Sequence, residues 1–390
     1  MTSYAISWLD LVVRWFHFTA GVAWIGTSMY FVWLDDHLTA PAKSEDIGHG
    51  VTGELWSVHG GGFYHNQKYL TGPKNEPLTP DLHWFKWEAY STWLSGMVML
   101  AIVYWIGAGT YLIDRSVLNL TPLQAIGASI GVIAVGNLAY EILCGAFAKN
   151  PLALGVAIYV FLVAAAWGLT HVFSARAAYM HIGAIVGTIM VANVAHVIIP
   201  GQRKMLDDIR AGREPDPRPG LRGKTRSVHN TYFTLPVLFI MISGHYPMTY
   251  QSPYGWIALA VLGLAGVLVR YFFILTHKGR YVVALPVAAA ALIAAIAVAL
   301  APHSSSQVSA TPVAFAQVAP IVHQRCTVCH SGPAAPNGVL LDTPAHIAAN
   351  APRIEEQAVA THAMPLGNAT GMTDAERAAL GAWIASGAKI

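Results

Sequence analysis

Residues 1–302 consist mainly of long apolar stretches separated by short polar segments. A helix needs about 20 mostly apolar residues to cross the hydrocarbon core of a bilayer. Eight stretches reach that length: 7–34, 89–112, 122–146, 152–174, 177–200, 231–249, 255–276 and 281–301. The pattern therefore predicts an all-α fold that begins with an eight-span transmembrane helical bundle.

Three polar segments interrupt or follow these stretches. A long loop at 35–88 separates the first two spans, and a basic loop at 201–230 separates the fifth and sixth. An Ala/Ser-rich linker at 303–310 leads to residues 311–390, whose polarity is that of an ordinary soluble domain. The sequence thus predicts two domains, 1–302 and 311–390.

The composition agrees with a membrane protein. Charged residues make up only 11% of the chain, whereas a soluble domain carries about 25%. The net charge of +3 is small and spread along the chain, so a lipid membrane is an expected partner and nucleic acid is not. The first stretch lacks a basic leader and a small-residue cleavage site, so we expect a retained first helix rather than a cleaved signal peptide.

The C-terminal domain contains the segment "HQRCTVCHSGP". Cys326, Cys329 and His330 form the C-x-x-C-H pattern at which a c-type haem is attached. The two cysteines would form thioethers to the porphyrin, and His330 would be the proximal iron ligand. The segment predicts a small class I cytochrome c domain with one covalent haem c.

A sixth iron ligand is expected from the loop "HAMPLGNATGMT". Met372 directly precedes a predicted capping box, Thr373 to Glu376, so it should pack against its own helix. Met364 is therefore the candidate ligand of the haem c iron, and methionine ligation raises the reduction potential. The alternative is that Met364 only fills the core of the domain.

The distribution of basic residues predicts the orientation in the membrane. Lysine and arginine are concentrated at 203–226 and 277–280, and such loops stay cytoplasmic. Eight spans then place both termini on the opposite face. Bacterial c-type haem is attached outside the cytoplasm, so both arguments put the cytochrome domain in the periplasm and the protein in the bacterial inner membrane as a multi-pass protein.

Histidines within predicted spans are candidate ligands for b-type haem, because such residues are costly in a membrane and usually functional. His181 and His196 lie on one span about 22 Å apart. The next span is antiparallel, which would place His245 level with His181 and His229 near His196. His17, on the first span, is a further candidate. The alternative is that these histidines cap helix ends or form hydrogen bonds within the bundle.

The loop at 35–88 is rich in glycine, histidine and aromatic residues, as in "ELWSVHGGGFYHNQKYL" and "LHWFKWEAY". Flat aromatic rings beside polar groups suit a planar, polar heterocycle. The catalytic candidates are His59, His65 and Glu88, and the substrate-binding candidates are Trp56, Phe63, Tyr64, Trp84, His229 and Asn230. The alternative is an interfacial loop whose aromatic side chains form the usual membrane belt.

Several motifs together resemble the bacterial membrane-bound urate oxidase family. They are "FHFTAGVAWIGTSMYFVWLD", "VHGGGFYHNQKYL", "HWFKWEAYSTWLSG", "HIGAIVGTIMVANV" and "HNTYFTLPVLFIMISGHYP", followed by the C-x-x-C-H segment and "MPLGN". The resemblance covers essentially the whole chain. It implies an eight-span urate-oxidising part fused to a C-terminal cytochrome c.

The resemblance implies oxidation of urate to 5-hydroxyisourate, with electrons passing to haem c and on to a downstream cytochrome or terminal oxidase. The family's haem residues correspond to Cys326, Cys329, His330 and Met364. It carries over no urate-binding residues and does not imply b-type haem. From the polar loop we expect urate to enter from the cytoplasm and a histidine or glutamate to act as general base.

Two other functions remain open at this point. A quinol-to-cytochrome electron-transfer module would use the histidine layers and need no purine chemistry. A transporter with a haem sensor tail would require paired broken helices or an internal repeat, and the sequence contains no convincing repeat. Reduction of haem c by urate without quinone would separate the first alternative from urate oxidation.

Overall fold

The computed structural model describes residues 2–74, 76–301, 313–333 and 335–390. The predicted linker at 303–310 lies outside the described residues. The N-terminal part is helical: α1 (Thr2–His37), α2 (Ser44–Gly48), α3 (Trp87–Leu100), α4 (Pro122–Ala146), α5 (Pro151–Leu169), α6 (Ala175–Ala192), α7 (Ile199–Arg210), α8 (Arg218–Ser243), α9 (Gly255–His277) and α10 (Ala284–Ala299). Short π-helical segments extend α3 (Ala101–Ile106 and Ala108–Leu112) and join α6 to α7 (Asn193–Ile198).

Five helical segments of the described chain are long and apolar enough to span a membrane. They are Trp87–Ile106, Pro122–Ala146, Pro151–Leu169, Ala175–Arg210 and Gly255–His277. The remaining three predicted spans fall in α1, α8 and α10. Of these, α10 is apolar but only 16 residues long. The mainly helical fold is confirmed, and the long apolar helices are compatible with a membrane protein.

The predicted loop at 35–88 contains a β-hairpin that the all-α prediction missed. Strand β1 (Val51–His59) pairs antiparallel with β2 (Gly62–Tyr69), and His59 faces Gly62 in the register. Gly60 and Gly61 form the two-residue turn with φ values of 58° and 84°. Positive φ at both central residues is the geometry of a type I′ turn, which glycine adopts without strain.

Helix α6 lies at the centre of the N-terminal part. In the most apolar 18-residue part of the segment that contains α6, 56% is buried inside the protein. The corresponding share is 22% in each of α4, α5 and α9. Glycines allow its neighbours to approach closely: a Cβ at Gly136 of α4 would lie 2.6 Å from Ile185, and one at Gly183 would lie 2.7 Å from Ile240 of α8. Small residues at such contacts are typical of helix packing in membranes.

The two ends of the bundle differ in character. At the end where α6 begins, the turns 110–117, 167–176 and 250–256 lie beside the C-terminal domain; we call this the cavity end. At the opposite end lie the basic segments 201–230 and 277–280, and we call this the basic end. The hairpin is at the basic end, where Lys68 of β2 and Lys224 of α8 both pair with Asp35 of α1.

The C-terminal domain is a small helical unit with its own core. Its helices are α11 (Phe315–Arg325), α12 (Pro344–Ala349), α13 (Ala351–Ile354) and α14 (Asp374–Ala385). Trp383 of α14 is 1% exposed and its ring lies 5.7 Å from that of Phe315, so α11 and α14 pack together. Thr373 and Glu376 form the predicted capping box, and Met372 is buried beside them.

Candidate functional site

The aromatic residues of the hairpin face outward. Phe63 is 78% exposed and Trp56 is 64% exposed, and Tyr64 is also exposed. The ring of His65 stacks on Trp56 with centroids 4.3 Å apart, and its Nε2 lies 2.9 Å from Oε2 of the buried Glu54. His59 is exposed at the turn. These side chains form a surface rather than the enclosed pocket expected from the sequence.

Glu88 lies apart from the hairpin, in the first turn of α3. Its Oε2 is buried without a hydrogen-bond partner. Within the described chain, no hydrogen bond, ion pair or ring contact joins Glu88 to the hairpin. Trp84 packs near the start of α3 and lies 6.0 Å below the Arg203 guanidinium. The structure therefore does not bring His59, His65 and Glu88 into one catalytic site.

A buried polar network lies toward the basic end of the bundle, between α4, α8 and the π-helical segment after α6. Asn193, which is 0% exposed, donates from Nδ2 to the Tyr140 hydroxyl (3.0 Å) and to Oδ1 of Asn230 (2.8 Å). Asn230 donates to the Met190 carbonyl (3.0 Å), and the Tyr140 hydroxyl lies 2.8 Å from Nδ1 of His229. His229 and Asn230 thus belong to one network. They are far from the hairpin in the sequence, and within the described chain no hydrogen bond or ring contact joins them to it.

An arginine closes this network. Arg226 donates to both carboxylate oxygens of Glu141 at 3.1 and 2.6 Å, and also to Oδ1 of Asn193 at 3.2 Å. Its guanidinium lies 5.0 Å from the ring centroid of Tyr140. We call the set Tyr140, Glu141, Asn193, Arg226, His229 and Asn230 the basic-end network. Each of these six side chains has a polar partner.

The histidines do not form the two facing layers that b-type haem would need. His181 is 0% exposed, and its Nδ1 donates to the Ala177 carbonyl (2.7 Å). Its Nε2 accepts from the Ser129 hydroxyl (2.6 Å), and that hydroxyl accepts from Trp105 Nε1 (2.9 Å). Both ring nitrogens therefore already have hydrogen-bond partners. His181 thus follows the alternative stated above, in which the histidine forms hydrogen bonds within the bundle.

The other histidine candidates are scattered. His196 is exposed on the π-helical segment after α6, and His245 is exposed in the turn that follows α8. His17 of α1 bonds through Nδ1 to the Thr92 carbonyl (2.9 Å). His229 belongs to the basic-end network. Because His181 has no free nitrogen and its expected partners point elsewhere, these residues do not fit a b-type haem.

The residues expected to hold haem c do fit that group. His330 Nδ1 donates to the Val339 carbonyl (3.1 Å), which fixes the ring and leaves Nε2 for iron. Cys326 is partly buried against the core of the domain, whereas Cys329 is exposed, and neither is in a disulfide. Burial raises the pKa of the Cys326 thiol to about 11.

Met364 is held by its backbone on both sides. Its N–H donates to the Gln357 carbonyl (2.7 Å), and its carbonyl accepts from the Arg377 guanidinium (2.7 Å). The side chain packs against the core of the C-terminal domain. A thioether fixed in this way is suited to iron ligation, although the same packing is what a purely structural methionine would show.

A polar cavity of about 990 Å³ opens at the cavity end. Three turns of the N-terminal part line it, and hydrogen bonds hold them in place. The Ser174 hydroxyl donates to the Tyr111 carbonyl (2.7 Å), while the Tyr179 hydroxyl donates to the carbonyls of Thr249 and Gly255 (both 2.7 Å). The loop 362–377 of the C-terminal domain forms another wall.

Arg176 lies in this cavity at the start of α6. Its Nε is buried without a partner, and the guanidinium lies 5.9 Å from the ring centroid of Tyr111. Among the described residues it forms no hydrogen bond and no ion pair. A second unpartnered arginine, Arg270 of α9, lies toward the basic end and is 5% exposed, with Nε and one terminal nitrogen unsatisfied.

These features define a helical protein with membrane-type helices, a polar cavity at one end of the bundle and a separate helical domain that carries C-x-x-C-H. The model of the urate oxidase N-terminal family matches residues 3–301, and the chain belongs to that family. Membership supports oxidoreductase activity with urate as the substrate. No curated protein and no solved structure is significantly similar to the chain.

Sequence reasoning passed over Arg176, Tyr140 and Arg226. Tyr140 lies within a predicted span, Arg176 between two spans and Arg226 in the basic loop that precedes another, so none of the three stands out in the pattern. The available signal was the rarity of charge in "HVFSARAAYMHIGAIVG", in which Arg176 is the only charged residue. The convergence of three distant turns around that arginine could not be inferred from the pattern.

Proposed function

We propose that this protein oxidises urate to 5-hydroxyisourate in a membrane and passes the electrons to a haem c covalently held by its C-terminal domain. The observation that carries the proposal is the family match over residues 3–301. The C-x-x-C-H segment, with His330 oriented for ligation by Val339, supports the second half of the proposal.

The reaction balances as urate plus water giving 5-hydroxyisourate, two protons and two electrons. Haem c, when bound, accepts electrons one at a time and so suits a two-electron substrate that is oxidised in two steps. The chain must bind a planar anion, orient it and accept protons. The haem would be held by Cys326, Cys329, His330 and Met364. Val339 would fix His330, and Arg377 would fix Met364.

The long apolar helices and the concentration of positive charge at the basic end support a multi-pass protein of the bacterial inner membrane. We propose that the basic end is cytoplasmic and that the cavity end, with the C-terminal domain, faces the periplasm. Eight spans, including α1, α8 and α10, would satisfy this orientation. A downstream cytochrome or terminal oxidase would then collect the electrons on the periplasmic side.

An anaerobic difference spectrum of the detergent-purified, full-length protein tests this function. We expect urate to reduce c-type bands, and we expect a Cys326→Ser, Cys329→Ser variant to lack covalent haem and any such response. Xanthine, which is not the proposed substrate, and a quinol serve as comparisons. Reduction by quinol but not by urate would replace urate oxidation with the quinol-to-cytochrome alternative.

A further inference from the structure

We propose that the cavity at the cavity end binds urate, with Arg176 as the anion contact, so that oxidation takes place beside the C-terminal domain. The inference rests on the proposed function and specifies the site at which it occurs. It replaces the expectation that urate binds at the glycine-rich segment of the basic end, whose residues the structure leaves on an exposed hairpin.

The size and composition of the cavity suit a small polar heterocycle. Small-molecule sites usually enclose about 300–1,000 Å³, and this cavity has about 990 Å³. Its lining combines the aromatic side chains of Tyr111, Trp167 and Trp256 with polar ones. Rings of this kind can pack against a flat purine, while polar groups contact its edges.

Arg176 supplies the feature that points to an anion. Its side chain is half-buried, and the Nε is a buried donor without a hydrogen-bond partner, which is costly to leave unsatisfied. Urate is a planar monoanion near neutral pH, with adjacent carbonyl oxygens and ring nitrogens along its edges. A guanidinium fork matches such an edge, because its donors are coplanar and fixed in direction.

Two further side chains of the cavity have capacity for urate. The Gln251 side-chain amide forms no hydrogen bond with any described residue, so it can both donate to a carbonyl and accept from a ring N–H. His171 Nδ1 lies 2.8 Å from the Trp167 carbonyl, which can only accept. The neutral ring therefore carries its proton on Nδ1 and leaves Nε2 able to accept a proton from bound urate.

The position of the cavity connects it to the proposed haem ligand. Arg377 lines the cavity, and its guanidinium also donates to the Met364 carbonyl at 2.7 Å. By contrast, Asn193 of the basic-end network lies 17 residues beyond Arg176 along one helical segment, or about 25 Å away. A substrate in the cavity needs no relay across the bundle, whereas a substrate at the basic end would.

Urate binding to variants of the full-length, haem-loaded protein tests the inference. The protein is first reduced anaerobically, so that urate binds without being oxidised, and titration calorimetry gives the dissociation constant. We expect Arg176→Met to weaken binding roughly 10- to 100-fold, because a hydrogen-bonded charge contact is lost. Gln251→Leu should weaken it less, and His171→Gln should slow urate-dependent reduction while leaving the dissociation constant almost unchanged.

Arg270→Met is the matched control, because among the described arginines Arg270 also has a buried Nε without a hydrogen-bond partner, and it lies toward the opposite end. It should bind urate as the wild type does.

Normal urate binding by both Arg176→Met and Gln251→Leu, or loss of binding in Arg270→Met alone, would overturn the inference. Failure of the wild type to bind urate or be reduced by it would instead refute the proposed function. If Arg176→Met does not fold, Gln251→Leu and His171→Gln decide the outcome.

Discussion

The two polar regions at opposite ends of the α6 segment differ in how their hydrogen bonds are completed. In the basic-end network every side chain has a partner within the protein, and Asn193 alone connects three helical elements. In the cavity, neither the Arg176 guanidinium nor the Gln251 side-chain amide has a hydrogen-bond partner among the described residues. One region is closed by the protein itself, while the other is left open to a ligand.

This difference separates stability from function. Helices in a membrane gain little from hydrophobic burial against one another, so packing and interhelical hydrogen bonds determine how they associate. A complete network such as that around Asn193 fixes α4, α6 and α8 relative to each other. The unpaired polar groups of the cavity do not hold helices together in this way. We attribute their presence to ligand binding rather than to stability.

The largest expected effect is from Asn193→Ala. The substitution leaves Tyr140, Asn230 and Arg226 each short of a buried hydrogen bond, and an unsatisfied buried group costs about 1–3 kcal/mol. We expect a loss of roughly 3 kcal/mol in thermal stability of the purified protein. Gln202→Ala, an exposed change at the same end, is the control. Equal melting temperatures for the two variants would mean that the network does not hold the bundle.

A smaller effect should come from breaking the Arg226–Glu141 pair. Arg226→Met leaves the carboxylate uncompensated, whereas Arg226→Met combined with Glu141→Leu removes both charges. Because the Glu141 side chain is 39% exposed, we expect the single change to cost only about 1–2 kcal/mol. The double variant should recover part of that loss. A double variant less stable than the single one would contradict the assignment of a mainly structural role.

Arg176→Met should behave in the opposite way to the network variants. It removes an unpartnered guanidinium, so we expect the melting temperature of the urate-free protein to stay the same or rise slightly. Added urate should stabilise the wild type through binding to the folded state and should stabilise the variant much less at the same concentration. A marked loss of stability on this substitution would show that Arg176 has an internal structural partner.

The predictable part of the structure was the part governed by periodicity and local chemistry. The apolar stretches became α4, α5, α6 and α9, and the capping box at Thr373 begins α14. The hairpin departs from the predicted binding loop, because Gly60 and Gly61 form a tight turn between two strands, which is the known turn signal of such a pair.

Contacts between distant segments explain the remaining errors. Spacing along a helix gave the depth of His181, His196 and His245 but not the direction in which each points relative to its neighbours. His181 turned inward to Ser129, and the other two turned outward. Likewise, the cavity is assembled from turns at least 50 residues apart in the chain, and no local pattern encodes that convergence.

The stability of the C-terminal domain, which forms one wall of the cavity, should depend modestly on pH. Partial desolvation of the ring, followed by the nearby Arg377 guanidinium, lowers the pKa of His362 below its ordinary range. The unfolded chain therefore binds a proton that the folded domain does not, and stability should fall as the pH drops below about 6.5. Thermal unfolding at pH 5 and 7.5 measures this slope, and His362→Gln should reduce it. An unchanged slope in that variant would remove His362 as the cause.

The smallest effect is expected at the hairpin. His59→Ala and Phe63→Ser alter exposed residues at or near the turn, so both stability and urate-dependent haem reduction should stay close to the wild-type values. Gly61→Val is the informative comparison, because its positive φ of 84° would strain the turn itself. Loss of urate oxidation in His59→Ala with normal folding would return the substrate site to the basic end.

The most direct test of the account is the membrane face from which urate acts. Right-side-out and inverted bacterial membrane vesicles that contain the protein would receive urate anaerobically, and absorbance would follow the c-type bands. Because the cavity and the C-terminal domain lie at the same end, we predict immediate reduction in right-side-out vesicles and reduction in inverted vesicles only after permeabilisation. Immediate reduction in sealed inverted vesicles would place the substrate site at the basic end and contradict the account.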